Sequence, residues 1–311
     1  LLCSFLSVIS TWPGRYAVEE IISDTPDGFW ELLKDDLTNT ADTKIVPETR
    51  NKVLAFCRPL YAKMLESAVE KLVFLPHNEF ASSYDQEQQA NFDSYRRERS
   101  EASMQAFVIV GRETLTFLNH RLQDAIATKH CCRTEAVLLL FERVADYLTE
   151  VDASAIETVV QLCAEIPSWK LSNGQDESRL GITLMRLLYS LSHVVLTSNQ
   201  VARLGGMCIE MALSWLDNPN VGAEALNTLE HYAEDRSPDL NALWNPPYDP
   251  LVVGISRSEA GFLAAKIRDC PFAEGIYAIA WYVDAFAVRI SFVLEYLNVN
   301  ASTTSHKKGE C

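Results

Sequence analysis

The chain has 311 residues, 48% of them hydrophobic, with 27 Lys and Arg against 42 Asp and Glu and a formal net charge of −15. That length exceeds what one compact core usually organises, so two domains or an elongated repeat array are expected. A field of this sign repels phosphate backbones and anionic membranes and attracts basic partners, which argues against nucleic acid as a direct ligand and against a membrane surface.

Apolar residues recur at helical spacing nearly throughout, and sustained strand-like alternation is absent, which predicts an all-α chain. Residues 1–10 are apolar but lack a starting Met, a basic flank and a small-x-small cleavage site, so they read as part of a helix in a chain that continues upstream. Asp27 is expected to cap a helix through Leu37, with Phe29, Trp30, Leu33 and Leu37 as its apolar stripe. Pro47 is placed to open the next helix, which runs toward Phe74 with a kink at Pro59 and is closed by Pro76. The Gln-rich stretch 78–91 reads as a loop or short exposed helix, followed by one longer helix reaching Ala127. Inside it, the basic run Tyr95-Arg96-Arg97-Glu98-Arg99 is balanced by Glu98 and Glu101 and reads as a solvated face.

From residue 133 the pattern becomes more regular. A helix over 134–148 should bury Val137, Leu140, Phe141, Val144 and Leu148, and one over 153–166 should bury Ile156, Val159, Val160 and Cys163 before Pro167 stops it. Asp176 should cap a helix with Leu180, Leu184, Leu187, Leu188 and Leu191 on one face; a partner helix follows over 200–216, and another pair starts near Pro219. Leu140, Thr183 and Leu226 stand about 43 residues apart, inside the roughly 40–47-residue window of HEAT and armadillo units. An isolated two-helix unit cannot bury its apolar face, and stacking units at constant spacing solves that problem. The fold class expected is therefore all-α: an α-solenoid of HEAT-type antiparallel helix pairs over residues 1–300, followed by a disordered tail at 301–311. The third unit is degenerate, with Asn227 where an apolar residue is wanted. The apolar stretch 276–297 contains Asp284, Arg289 and Glu295, so it reads as a buried helix rather than a membrane span.

Signatures of chemistry are missing. There is no GxxxxGK[ST], GxSxG, HExxH or strand-linked GxGxxG, so no catalytic, cofactor-binding or metal-binding residue is nominated and no enzyme is expected. The eight cysteines show no CxxC spacing and fit a reducing compartment. His130-Cys131-Cys132 invites a metal or redox reading, but adjacent helical side chains diverge, and a structural role is favoured. Gly205-Gly206 reads as a close-packing site within a helix, and His193 as a core or edge residue. Asp35 and Asp36 form the most conspicuous carboxylate pair; consecutive on a helix, they diverge by about 100° and suit a solvated face or a basic partner rather than one substrate atom. Ser154, Glu157, Gln161 and Glu165, with Glu210 and Asp217 in the next unit, are expected to line an acidic concave surface.

The turn Trp12-Pro13-Gly14-Arg15-Tyr16, followed by Phe29-Trp30-Glu31-Leu32-Leu33-Lys34-Asp35-Asp36-Leu37, resembles the middle of the importin-13 and transportin-SR branch of the β-karyopherin (importin-β) family, where a Pro-Gly-x-Tyr turn precedes an FWxxLxDD helix. Arg58-Pro59-Leu60-Tyr61, Phe92 with Tyr95-Arg96, Thr134-Glu135-Ala136 and Ile166-Pro167 follow in that family's order, so the resemblance covers about 11 to 290. It implies a right-handed superhelix of HEAT repeats and a nuclear transport receptor that shuttles between cytoplasm and nucleus. The partners implied are protein cargo, the Ran GTPase and Phe-Gly nucleoporins, with no active site, no cofactor and a monomeric state. The acidity expected on the concave side points to basic cargo. Asp35 and Asp36 are the strongly acidic residues that match a family motif, and they are the candidate partner-binding residues, toward Ran or cargo. The family's main Ran contact would lie upstream of Leu1, and the Asn-Pro-Pro-Tyr turn within 244–250 has no family counterpart. A HEAT-repeat scaffold or adaptor unrelated to Ran shares the solenoid and the acidity; the FWxxLxDD helix separates the two readings.

Overall fold

The computed structural model describes residues 1–39, 46–169, 174–197 and 201–234. The expected tail at 301–311, the apolar stretch 276–297 and the 244–250 turn lie outside them. The regular elements among the described residues are α1 (Leu2–Ser10), α2 (Asp27–Thr38), α3 (Pro47–Lys71), α4 (His77–Ser83), α5 (Gln86–Val110), α6 (Glu113–Ala127), α7 (Cys131–Ala145), α8 (Ala153–Cys163), α9 (Gly174–Thr197), α10 (Val201–Trp215) and α11 (Gly222–Glu234). One-turn 3₁₀ helices stand at Glu150–Asp152 and Ile166–Ser168. Among the described residues no helix is long and apolar enough to cross a membrane.

The chain divides into two units, Leu1–Leu191 and Ser192–Cys311. In the first, α1 packs on α3, α3 on α5 and α5 on α7, while α6 packs on α8 and also on α7. Helices α1, α3, α5 and α7 thus stack in succession, as α6 and α8 do, while α2 packs on α5 and α3, the kind of arrangement in which one helix pair covers the apolar face of the next. Helix α7 is central to it. Ala136, Val137, Leu138, Leu140, Phe141 and Val144 are all buried, an apolar surface too wide for a helix facing water on one side. In the second unit α10 packs on α11, with Leu204, Cys208, Met211, Leu229 and Tyr232 buried.

The period of about 43 residues falls on α7, α9 and α11. Leu140 is fully buried and Leu226 half-buried; Thr183 fits because its hydroxyl donates to the Glu135 carboxylate at 3.0 Å, and Asn227 is accommodated by facing water. Pro47 opens α3 as expected, and Pro59 lies inside that helix.

Several expectations are corrected. The stretch 78–91 holds the short, mostly exposed helix expected there, α4, but also the start of α5. Asp85 caps α5, its side chain accepting from Gln88 N while the Gln88 side chain accepts from Asp85 N, a capping box that uses Asp in place of Ser or Thr. The helix expected to run on to Ala127 is two, α5 and α6, parted at Gly111, whose φ of +92° is accessible to glycine. Gly206 in α10 is not a close-packing site, since a Cβ there meets nothing within 4 Å. Asp176 sits inside the first turn of α9 instead of before it, and its carboxylate accepts from the His77 backbone N–H at 3.3 Å. Tyr95, Arg96 and Arg99 do not form a solvated face. All three are buried, and only Arg97 and Glu98 of that run face water. Positions 95, 96 and 99 share the inner side of α5, where three- and four-residue spacing places them together.

Candidate functional site

The residues of the family-like motifs converge where α2, the preceding turn and the end of α3 meet α5. Helix α2 does not use Asp27 as a cap: the N-cap is Pro26, and Asp27 is the first helical residue. Its carboxylate instead accepts from Arg99 Nη1 at 2.6 Å, while Arg99 Nη2 donates to the Ser10 carbonyl at 2.8 Å, which ties α1, α2 and α5 together. Trp30 is fully buried; its indole N–H donates to Ser10 Oγ at 2.9 Å, and Tyr61 O–H donates to the Trp30 carbonyl at 2.6 Å. The ring packs edge-on against Phe29 and Tyr61 at 5.3 and 5.4 Å. The aromatic half of the FWxxLxDD motif is therefore an anchor, and its acidic half faces outward. Asp35 is 59% exposed and pairs with Lys34 at 3.0 Å; Asp36 is exposed, as is Leu32 on the same helix.

Asp27 sits in a conflict. Burial raises its carboxyl and outweighs Arg99, leaving a pKa pushed up to about 6. A carboxyl raised above its unfolded value favours the native state below the unfolded pKa, and that contribution is lost as pH rises through the folded pKa. Urea unfolding of the wild type should therefore lose about 1–3 kcal/mol between pH 4 and 7 from this group, a slope that Asp27→Asn removes. Equal pH slopes in both proteins would refute the assignment.

The Trp12-Pro13-Gly14-Arg15-Tyr16 turn is locked from beneath. Gly14 has φ +108°, and a Cβ there would stand 3.1 Å from Glu19 Cβ; Ala17 takes φ +69°. The Arg15 carbonyl accepts from the Val18, Glu19 and Glu20 backbone N–H groups. Tyr16 stacks on Tyr95 with centroids 4.0 Å apart and donates its hydroxyl to Asp24. Burial, joined for Tyr16 by the Asp24 carboxylate, pushes both phenols well above their usual range. The buried Glu20 carboxylate accepts from Ile22 N at 2.9 Å, Ser23 N at 3.0 Å, Ser23 Oγ at 2.7 Å and Lys71 Nζ at 2.6 Å. Burial opposes its ionisation, but Lys71 and these donors together hold its pKa below the ordinary value. Lys71 Nζ also donates to the Gly14 carbonyl at 3.1 Å, so one ammonium clamps the turn to α3.

Beside this turn lies a cleft of about 390 Å³, walled by residues 11–15, the end of α3 and Arg133 of α7, with Phe74, Tyr84 and Phe92 among its lining side chains. Behind it Phe74 carries two guanidinium groups, Arg96 at 3.8 Å and Arg179 at 4.1 Å from the ring centroid. Arg96 Nη2 donates to Glu135 at 2.6 Å, and Glu135 also takes the Thr183 hydroxyl, so a buried ion pair links α5, α7 and α9. Burial works against both charges, raising the Glu135 carboxyl and lowering Arg96.

His130, Cys131 and Cys132 have structural partners. His130 Nδ1 accepts from Arg133 N at 3.2 Å as the cap of α7, the Cys131 thiol donates to the Asp176 carbonyl at 3.3 Å, and Cys132 is buried. His193 is exposed at the edge of α9. The Gln161 side-chain amide donates to Glu157 at 2.8 Å along α8, with Ser154 and Glu165 exposed beside them. Sequence reasoning missed Glu20, Lys71, Arg99 and Glu135. Glu135 stands inside the matched Thr134-Glu135-Ala136 motif, and Glu20 and Arg99 lie near matched ones, but nothing local marks their pairing, because each acts through a partner far away in the chain.

No family model matches the chain. Importin-13 of Gallus gallus is 25% identical over 250 residues, which cover 79% of this chain and 24% of that protein. Importin-13 of Homo sapiens is 25% identical over 252 residues with the same coverage. A solved structure titled "Importin13 cytosolic state" matches with a TM-score of 0.62 at 19% identity, covering 94% of this chain and 36% of that one, a likeness of fold. The chain spans about a quarter of the length of these curated relatives, at 24%. Sequence similarity and stacked helix pairs agree: this chain is similar to a segment of importin-13 and shares its all-α, HEAT-type fold.

Proposed function

We propose that the chain is a segment of a nuclear transport receptor that binds protein cargo and responds to Ran as it shuttles between cytoplasm and nucleus. The observation that carries this reading is similarity to importin-13 over 79% of the chain. The same reading includes a continuous solenoid over residues 1–300, a monomer that engages Phe-Gly nucleoporins, and carriage without catalysis. The test is a pull-down with the full-length parent: preference for GTP-loaded over GDP-loaded Ran is expected, and equal binding of both forms overturns the reading.

Asp35 and Asp36 are the proposed contacts, being exposed, unburdened by the core and anionic in a chain of net charge −15. Basic cargo should bind more weakly as salt rises. Reversing both charges in an Asp35→Lys/Asp36→Lys variant of the parent should weaken cargo or Ran binding roughly tenfold, since exposed charge pairs contribute about 0.2–1 kcal/mol each and reversal turns attraction into repulsion. Calorimetric titration reads the effect; an unchanged affinity for both partners removes these residues from the interface.

A further inference from the structure

We propose that the cleft between the 11–15 turn and the end of α3 binds a short acidic segment of a partner protein that also carries an aromatic or aliphatic side chain. The first ground is a local inversion of charge. In a chain of net charge −15, the cleft is lined by three cations, Arg15, Lys71 and Arg133, against one carboxylate, Glu70. These cations are not equivalent. Lys71 is occupied by Glu20 and the Gly14 carbonyl and holds the wall in place. Arg133 and Glu70 form a pair 3.2 Å apart with side chains 44% and 51% exposed, a contact weak enough to exchange its carboxylate for another. Arg15 is exposed, and among the described residues its guanidinium has no hydrogen bond, ion pair or ring contact. It is the cation left over for a ligand.

The second ground is the apolar lining. Trp12 stands at the rim 44% exposed, and the half-buried Phe74 supplies aromatic surface inside, backed by the buried rings of Tyr84 and Phe92. A volume of about 390 Å³ suits one or two side chains of a peptide. The third ground is rigidity. A residue held at φ +69°, a glycine at +108° and a buried carboxylate with four donors fix the turn that presents Trp12 and Arg15, so little ordering remains to be done on binding. Acidic residues of the partner would face Arg15 and Arg133, and its apolar side chain would pack against Trp12 and Phe74. The ligand's charge is opposite to that proposed for Asp35 and Asp36, so this inference stands apart from the transport reading.

The test uses the full chain and fluorescence anisotropy of three labelled peptides: Glu-Glu-Phe-Glu-Glu, the same peptide with Ser for Phe, and Lys-Lys-Phe-Lys-Lys. The acidic Phe peptide should bind, the Ser peptide roughly tenfold more weakly, and the Lys peptide not measurably. Arg15→Glu should weaken the acidic Phe peptide at least about tenfold, Arg15→Lys should retain most of the binding, and Asp35→Lys/Asp36→Lys should leave it unreduced. Arg133→Ala, also on the rim, reads the same loss if Arg15→Glu fails to fold by circular dichroism. No binding at millimolar peptide, equal binding with and without Phe, or unchanged binding in both rim variants would overturn the proposal. So would competition by a second copy of the chain, seen as self-association lost with Arg15→Glu.

Discussion

Glu135→Ala is expected to lower the free energy of unfolding by about 3–5 kcal/mol, the cost of leaving one member of a buried ion pair without the other. Arg96 is only 4% exposed, and its Nη2 donates to Glu135 at 2.6 Å. With Glu135 removed, the guanidinium keeps the face of Phe74 but loses its hydrogen-bonded anion, and the Thr183 hydroxyl loses its acceptor too. A loss of this size is a large fraction of the stability of an ordinary domain. Because Glu135 sits between α5 and α9, the damage should fall on the stacking of successive helix pairs rather than on one helix. Equilibrium urea unfolding followed by circular dichroism measures it. Replacing both partners, Arg96→Met with Glu135→Leu, should recover most of the loss, because two apolar side chains need no compensating charge. A Glu135→Ala variant within about 0.5 kcal/mol of wild type would contradict the buried pair.

Trp30→Ala should cost a similar amount, about 3–5 kcal/mol, through the cavity left by a fully buried indole and the bond lost at Ser10. The comparison that makes this informative is Leu32→Ala on the same helix. Leu32 is 67% exposed, so its removal should change stability by no more than about 0.5 kcal/mol. Thermal unfolding of the two variants separates an anchor from a surface position within one motif. If Trp30→Ala proved as mild as Leu32→Ala, α2 would not be held by its aromatic face, and the outward placement of Asp35 and Asp36 would lose its support.

Much of the helical frame was legible in the residues. Val137, Leu140, Phe141, Val144 and Leu148 recur at helical spacing and are all buried. Pro47 marks the start of α3, and the spacing of about 43 residues from Leu140 through Thr183 to Leu226 tracks every second helix. These signals are local or periodic, and apolar side chains have one favourable place to go. Chain breaks were harder. Gly111 looked like one more residue in a helical run because nothing apolar is missing around it; only its positive φ shows the stop. The capping box at Asp85 lay in a Gln-rich stretch whose polarity resembles a loop.

The composition and periodicity by themselves determined an all-α chain of helix pairs with an acidic surface, and they placed Asp35 and Asp36 on a helix without a shared reaction centre. Tertiary structure alone decided which charges face water. In the sequence Arg96 and Arg99 read as part of a solvated face, because a charge is comfortable inside only when a distant partner meets it: Glu135 is 39 positions from Arg96, and Asp27 is 72 from Arg99. Arg15 shows the reverse, an arginine in a tightly held turn whose exposed guanidinium has no hydrogen bond or ion pair among the described residues. Periodicity records the preference of a side chain for oil or water, whereas pairing depends on which helix the fold brings opposite it.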